Sequence, residues 1–263
     1  MDRRDESPCL ELKNIVKNFG GLCAVNKVTF RVAKGDVISV IGPNGAGKTT
    51  LLNLISGVLP LTEGEIWFKG QRINGLSPSD ICSFGIARTF QDMQLFTNMS
   101  VIENVMVGCH SWSRASFFEN MFRLGRTRKE EKEIFERAME KLSLVGLEKK
   151  AFEAPLSLPL RDRKLVGMAR ALAAEPELLL LDEPAGGLNI EEIRELCGSA
   201  LKLNKQGLTI LFIEHRMEIV ADISKRVIVM NFGNKIAEGT FEEIRRNNRV
   251  VDAYLGERVN RRA

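Results

Sequence analysis

The spacing of apolar positions changes character several times along the chain. Leu10–Ile15 and Val28–Val32 read as two strands joined by a turn at Gly20-Gly21. Val37-Ile38-Ser39-Val40-Ile41 is apolar and β-branched enough for a buried strand. From Lys48 to Ser56 the spacing turns helical, with Leu51, Leu52, Leu54 and Ile55 on one side and Gly57 as a stop. Gly64–Lys69 reads as another short strand. From Pro78 to about Glu153 the pattern is helical and more polar. Within it, Arg123 to Lys150 is dense in charge and carries Ile134, Phe135, Ala138, Met139 and Leu142 at helical spacing, the mark of a solvated amphipathic helix. Residues 176–240 return to strands at Leu178–Leu181, Thr209–Ile213 and Arg226–Met230, with a helix over Glu191–Leu203. This alternation predicts an α/β protein with a mostly parallel sheet. No internal repeat, low-complexity segment or long linker divides the 263 residues, which suit one large α/β domain or one with a helical insertion.

Chemistry enters between the third strand and the helix after it. Residues 42–49 are Gly-Pro-Asn-Gly-Ala-Gly-Lys-Thr, a complete phosphate loop in the strand–loop–helix context that the motif needs. Gly42, Gly45 and Gly47 let backbone N–H groups turn inward on an anion. The helix N-terminus adds partial positive charge. Lys48 has the reach for β- and γ-phosphates, and the Thr49 hydroxyl can ligate Mg2+.

A second element fits the first. Leu178-Leu179-Leu180-Leu181 forms a strand that ends in Asp182-Glu183, and the C-terminal ends of such strands are where α/β sheets place their ligands. Asp182 is placed to hold Mg2+, directly or through water. Glu183 is a candidate to polarise an attacking water. The strand Thr209–Ile213 ends in Glu214-His215, and that position makes His215 a candidate γ-phosphate sensor. His110 has no such context and is left unassigned.

The bulk numbers narrow the setting. A net charge of +4 lends no support to a nucleic-acid partner, and 44% hydrophobic residues suffice for a core. The five cysteines, Cys9, Cys23, Cys82, Cys109 and Cys197, are scattered without Cys-x-x-Cys spacing, so buried free thiols in a reducing compartment are expected rather than disulfides or a zinc site. The charged start, Met1 to Glu6, is unlike a secretory signal, and no apolar run approaches the ~20 residues of a membrane span.

The order of these motifs resembles that of the ATP-binding cassette (ABC) transporter ATPases: phosphate loop, Arg88-Thr89-Phe90-Gln91, helical segment, Ala169-Arg170-Ala171-Leu172, Asp182-Glu183-Pro184 and Glu214-His215. Phe19-Gly20-Gly21-Leu22, Leu95-Phe96 and Ala253-Tyr254-Leu255-Gly256-Glu257 are similar to the larger ATPase subunit of bacterial branched-chain (hydrophobic) amino-acid importers; ATPases of urea and short-chain amide importers are closely similar. The resemblance implies a P-loop NTPase core of ABC type, at about 9–90 and 175–240, with an antiparallel β subdomain. It further implies an inserted helical subdomain at about 92–172 and a helical tail at 241–263. ATP and Mg2+ are the implied cofactors. Phe19 would stack on adenine, and Val25, Gly42, Pro43, Asn44, Gly45, Ala46, Gly47, Lys48, Thr49 and Thr50 would hold the rest of the nucleotide. Gln91 would contact Mg2+ and the attacking water. Met93, Leu95, Phe96 and Met99, within Asp92–Val101, would contribute to a permease-binding groove or to local core. Gly187-Leu188-Asn189 would touch a second ATPase subunit, with Asn189 where many relatives carry Asp. The implied partners are that second subunit (a heterodimer favoured), two membrane permeases and a solute-binding protein, at the cytoplasmic face of a bacterial inner membrane. Soluble cassettes working on ribosomes or DNA, and regulatory cassettes, are the competing classes.

One segment departs from the family. Where Leu-Ser-Gly-Gly-Gln is usual, this chain has Leu158-Pro159-Leu160-Arg161-Asp162. Pro159 offers neither a hydroxyl nor an N–H, though proline suits a first helical turn. Leu160 and Arg161 bring side chains where glycines permitted close approach. Arg161, Arg163 or Lys164 would either supply compensating charge or face solvent. In the family this segment covers the nucleotide of the opposite subunit, so the altered version implies an asymmetric ATPase dimer.

Overall fold

The structure, a computed structural model, describes residues 8–89, 95–111 and 127–260. β1 (Leu10–Phe19) and β2 (Leu22–Val32) form one long hairpin with Phe19 opposite Leu22 across Gly20-Gly21. Both strands outrun the apolar runs that predict them, because residues near the tip pair through backbone while their side chains stay exposed. β3 (Val37–Ile41) and α1 (Lys48–Ile55) follow. β4 (Glu63–Phe68) then pairs with the other edge of β1, and β5 (Gln71–Arg72) completes an antiparallel sheet of order β2-β1-β4-β5.

The second sheet adds β6 (Ile86–Thr89), β7 (Leu178–Asp182), β8 (Thr209–Ile213), β9 (Arg226–Asn231) and β10 (Asn234–Gly239) to β3, in the order β10-β9-β3-β8-β7-β6. All its pairings are parallel except that of β10 with β9. Every residue of β3, β7 and β8 is buried, which is why these strands are continuous apolar runs in the sequence.

The helices are α2 (Pro78–Ser83), α3 (Val101–Met106), α4 (Thr127–Leu144), α5 (Leu160–Leu172), α6 (Ile190–Lys205), α7 (Met217–Ile223), α8 (Phe241–Arg245) and α9 (Asn248–Asn260). Side-chain alternation along β7 assigns the layers. Leu178 and Leu180 join the cluster of Leu51, Leu52 and Ile55 of α1 with β1, β2 and β4. Leu179 and Leu181 join Val166 and Ala169 of α5, Leu196 and Ala200 of α6, and Ala138 and Leu142 of α4. The charge-rich α4 is thus amphipathic, with Ala138 and Leu142 buried and Glu130, Glu131 and Lys132 exposed.

Three expectations need correction. Residues 78–153 are not uniformly helical, since Ile86–Thr89 is the edge strand β6, paired in parallel with β7; four residues with two apolar positions give too little periodicity to read. β10 was invisible for a similar reason, being a polar edge strand held by backbone pairing to β9. And the cysteines are not all buried: Cys9, Cys109 and Cys197 are, but Cys82 is half-buried and Cys23 exposed.

Candidate nucleotide-binding site

The phosphate loop is wedged between the two sheets. A Cβ at Gly42 would lie 2.0 Å from the carbonyl oxygen of Met230, and one at Gly47 would lie 2.3 Å from that of Ala24. Only glycine fits at either position. Gly45 has no atom within 4 Å of such a Cβ and opens on the cleft. Lys48 begins α1 and is buried, and its Nζ donates to the carbonyls of Gly42 (2.7 Å) and Pro43 (2.8 Å). Asn44 and Thr49 are exposed, Thr50 is half-buried, and Pro43 and Ala46 are buried.

The end of β7 supplies the acids. Asp182 is buried and accepts from Arg88 NH2 through Oδ2 at 2.7 Å, and Arg88 NH1 also donates to Asn53 Oδ1 (2.7 Å) and Ser56 Oγ (3.1 Å) of α1 and its cap. One arginine therefore joins β6, β7 and α1. The other carboxylate oxygen of Asp182, Oδ1, is buried and accepts no hydrogen bond from the described residues. A buried carboxylate oxygen without a donor is costly, and a hydrated cation beside it would relieve that cost. This acid fits a Mg2+ site together with the Thr49 hydroxyl.

Glu183 takes a left-handed backbone (φ 45°), an uncommon state for a residue with a Cβ. Its N–H donates to Ile213 at 3.0 Å, which holds the ends of β7 and β8 together. Glu183 Oε1 then meets His215 Nε2 at 2.5 Å. The turn carrying His215 is set by the buried Glu214, whose Oε1 accepts from the backbone N–H groups of His215 (2.8 Å) and Arg216 (3.1 Å). Arg216 NH2 donates to the carbonyl of Leu188 at 3.1 Å, tying this turn to the loop Gly187-Leu188-Asn189. A carboxylate and an imidazole in contact beside a phosphate cradle can order a water and move its proton.

Phe19, Asn44 to Thr50, Glu183 and His215 line one cleft of about 400 Å3, so the structure brings most of the expected residues together. Four do not line it: Gly42, Pro43 and Asp182 are buried and outside its lining, and Val25 is fully buried in the core cluster. Gln91 lies outside the described residues. Leu22, Cys23, Ala24, Phe232 and Gly233 line the cleft as well. Nothing periodic marks them: Leu22, Cys23 and Ala24 open β2 ahead of its apolar run, and Phe232-Gly233 is a two-residue turn; the hairpin tip next to Phe19 is the available cue for the first three.

The altered segment Leu158–Asp162 leads into α5, with Pro159 at its N-cap and no side-chain cap. Arg161 pairs with Asp162 (NH2 to Oδ1, 2.7 Å) and with Glu195 of α6, and Lys150 donates to Asp162 Oδ2 at 2.5 Å. Burial alone would raise the Asp162 pKa, but the hydrogen bonds from Lys150 and Arg161 outweigh it and hold the carboxyl below its ordinary value. Lys164 is buried. Of the basic residues here, then, Arg161 is committed to carboxylates and Lys164 does not face solvent. A second concavity, between α2, β6 and α5, is lined by residues including Val58, Pro78, Cys82, Phe96, Arg170 and Ala171.

A mostly parallel sheet carrying a phosphate loop after β3, a histidine at the end of the neighbouring strand β8 and an acid pair at the end of β7 beyond it defines a nucleotide-triphosphate-binding cassette. The chain belongs to the ABC transporter family, which it matches over residues 25–186. Residues 234–260 match the family described as branched-chain amino acid ATP-binding cassette transporter. It is 40% identical over 95% of its length to the high-affinity branched-chain amino acid transport ATP-binding protein LivG of Escherichia coli (strain K12), covering 98% of that protein. It is 39% identical, with the same coverage, to BraF of Pseudomonas aeruginosa, which carries the same description. Among solved structures, the ADP conformation of MJ1267, an ATP-binding cassette of an ABC transporter, superposes with a TM-score of 0.84 at 34% identity, covering 95% of this chain and 100% of that one. A dimeric cassette, MJ0796 bound to ADP and Pi, superposes at 0.74 with 26% identity, covering 88% of this chain and 98% of that one.

Proposed function

We propose that this chain is the ATP-binding and ATP-hydrolysing subunit of an importer for branched-chain amino acids. The observation that carries hydrolysis is the contact of Glu183 with His215 beside the phosphate loop. The loop amides and Lys48 bind and orient the triphosphate and offset charge on the γ-phosphate as it is attacked. Glu183 orients the attacking water and draws its proton, and His215 holds the Glu183 carboxylate and reads the γ-phosphate. Bound Mg2+, held by Thr49 and by Asp182 directly or through water, would neutralise phosphate charge. Gln91 is assigned to the same cation and water. Two ATP molecules would clamp this subunit to a second cassette, in a heterodimer, and hydrolysis would release the clamp, alternating the access of two permeases.

The match to LivG and BraF and the C-terminal match over residues 234–260 support the choice of solute. The groove between α2, β6 and α5 suits a short apolar helix of a permease, with Phe96 half-exposed on its wall. Among the described residues no helix is long and apolar enough to cross a membrane, which fits attachment through permeases at the cytoplasmic face of the inner membrane. A solute-binding protein would deliver the amino acid from outside. The test is reconstitution with the cognate permeases, second cassette and binding protein in vesicles. ATP-dependent leucine uptake that stops with Glu183→Gln is expected. Uptake of urea or amides instead, or leucine uptake indifferent to Glu183, would overturn the proposal.

A further inference from the structure

β9 and β10 are joined by the two-residue loop Phe232-Gly233, between the paired Asn231 and Asn234. Both loop residues have positive φ, 43° and 78°. This is the type I′ hairpin pattern, which favours Asn, Asp or Gly at both places. A bulky aromatic there is an outlier. The side chain is also 80% exposed, so water as well as backbone disfavours it.

The turn is clamped in place. The Gly233 N–H donates to the carbonyl of Ala46 in the phosphate loop (3.1 Å), and its carbonyl accepts from the Asn26 N–H of β2 (2.9 Å). Asn26 Nδ2 donates to Asn234 Oδ1 (3.0 Å), and Asn234 Nδ2 donates to the Phe232 carbonyl (2.8 Å). These bonds hold the Phe232 ring at the cleft that Phe19 also lines. The two rings come from different sheets, Phe19 from the antiparallel one and Phe232 from the mixed one.

We propose that Phe232 is a second base-binding aromatic, so that the adenine of ATP is held by Phe19 and Phe232 together, and that its ring favours nucleotides over bare triphosphate. This rests on the reading of the cleft as an ATP site. Closing a base against an exposed ring removes both faces from water and accounts for an aromatic kept on a strained turn. The ring contributes only to the base, whereas the turn backbone, through Gly233 and Ala46, supports the phosphate loop.

Binding of ATP, ADP and inorganic triphosphate, each with Mg2+, to the purified full-length chain separates the two roles. Phe232→Asn removes the ring but installs a residue that the turn prefers. It should weaken ATP and ADP about tenfold, within the range for loss of one aromatic–base stack, while leaving triphosphate affinity and thermal stability undiminished. Phe232→Trp should keep ATP affinity, and ADP should quench its added fluorescence. Unchanged ATP affinity in Phe232→Asn, or equal loss of ATP and triphosphate, would overturn the proposal. So would a loss confined to the assembled dimer, which would make Phe232 a subunit contact. Wild-type chain that binds triphosphate but shows no gain from the base would refute the base site alone, whereas wild-type chain that binds neither would bring down the ATP reading and this one with it.

Discussion

The guanidinium of Arg88 donates to Asp182 across a parallel strand pair, 2.7 Å from Oδ2, with both side chains buried. The same arginine reaches Asn53 and Ser56, so the acid assigned to Mg2+ is oriented by a residue on the strand leading to Gln91. Removing one partner of a buried ion pair leaves an uncompensated charge and costs about 3–5 kcal/mol. Arg88→Ala should therefore lower unfolding free energy by that order, measured by urea titration. The double change Arg88→Met with Asp182→Asn should be milder, because no lone charge remains, yet it should still lose Mg2+-dependent turnover. A fully stable Arg88→Ala protein would refute the coupling.

Glu183 and His215 act as one unit in the proposed chemistry, and their losses should not add. Glu183→Gln and His215→Ala should each lower kcat by roughly 10²–10⁴, the range for a positioned general base, with KM for ATP little changed. The double variant should be only slightly worse than either single one. Steady-state phosphate release by the assembled ATPase measures this, and multiplicative losses would show that the two residues work independently.

The contact just described was half legible in the chain. Each residue follows a buried apolar strand, β7 or β8, and such strands announce both their burial and the place where their ends emerge. That those ends meet depends on β7 and β8 being neighbours in the sheet, which is a matter of order rather than composition. The phosphate loop was legible because its first and last glycines, Gly42 and Gly47, are imposed by sterics from Met230 and Ala24, although the identity of those neighbours was not. Short edge strands such as β6 and turn residues such as Phe232 left no trace, since neither periodicity nor burial marks them. Val25, which the family resemblance put at the nucleotide, is turned into the core by strand alternation along β2.

Asp162 gives a pH signature. Folding lowers its pKa, so the folded protein holds that proton less readily than the unfolded chain. The stabilisation is complete above the ordinary carboxyl value of about 3.9, and it is lost as pH falls through the lower folded value. Asp162→Asn should be less stable than wild type at neutral pH by on the order of 1–3 kcal/mol, and the difference should shrink as pH drops below ~4. Chemical denaturation across that range provides the check; a gap that widens in acid would contradict it.

Thiol chemistry maps the cleft independently of activity. Burial, reinforced by the nearby carboxylates of Glu214 and Asp222, pushes the Cys197 pKa up to about 12. Burial raises Cys9 and Cys109 as well. A thiol without appreciable thiolate is inert to alkylation. Iodoacetamide at neutral pH should therefore modify the exposed, cleft-lining Cys23 first and spare Cys197 until the chain unfolds. Mg-ATP should slow labelling of Cys23, read by peptide mass analysis. Labelling unaffected by ATP would move the nucleotide out of this cleft.

The altered segment ahead of α5 bears on how two cassettes share work. Pro159 supplies neither hydroxyl nor N–H, and Arg161 is spent on Asp162 and Glu195 rather than offered outward. In the proposed asymmetric dimer, the ATP site that this segment would complete is the partner cassette's, and it would lack the hydroxyl and N–H that a serine at position 159 would offer a γ-phosphate. The site on this chain, with Lys48, Glu183 and His215, would be completed by the partner's segment and stay competent. In an assembled heterodimer, Glu183→Gln should abolish most phosphate release, while the equivalent change in the partner should remove a minor share. Restoring Ser at Pro159 and Gly at Leu160, with Arg161 and its ion pairs left in place, should raise the contribution of the partner's site. Equal losses from the two glutamine variants would mean that the two sites turn over alike despite the missing hydroxyl.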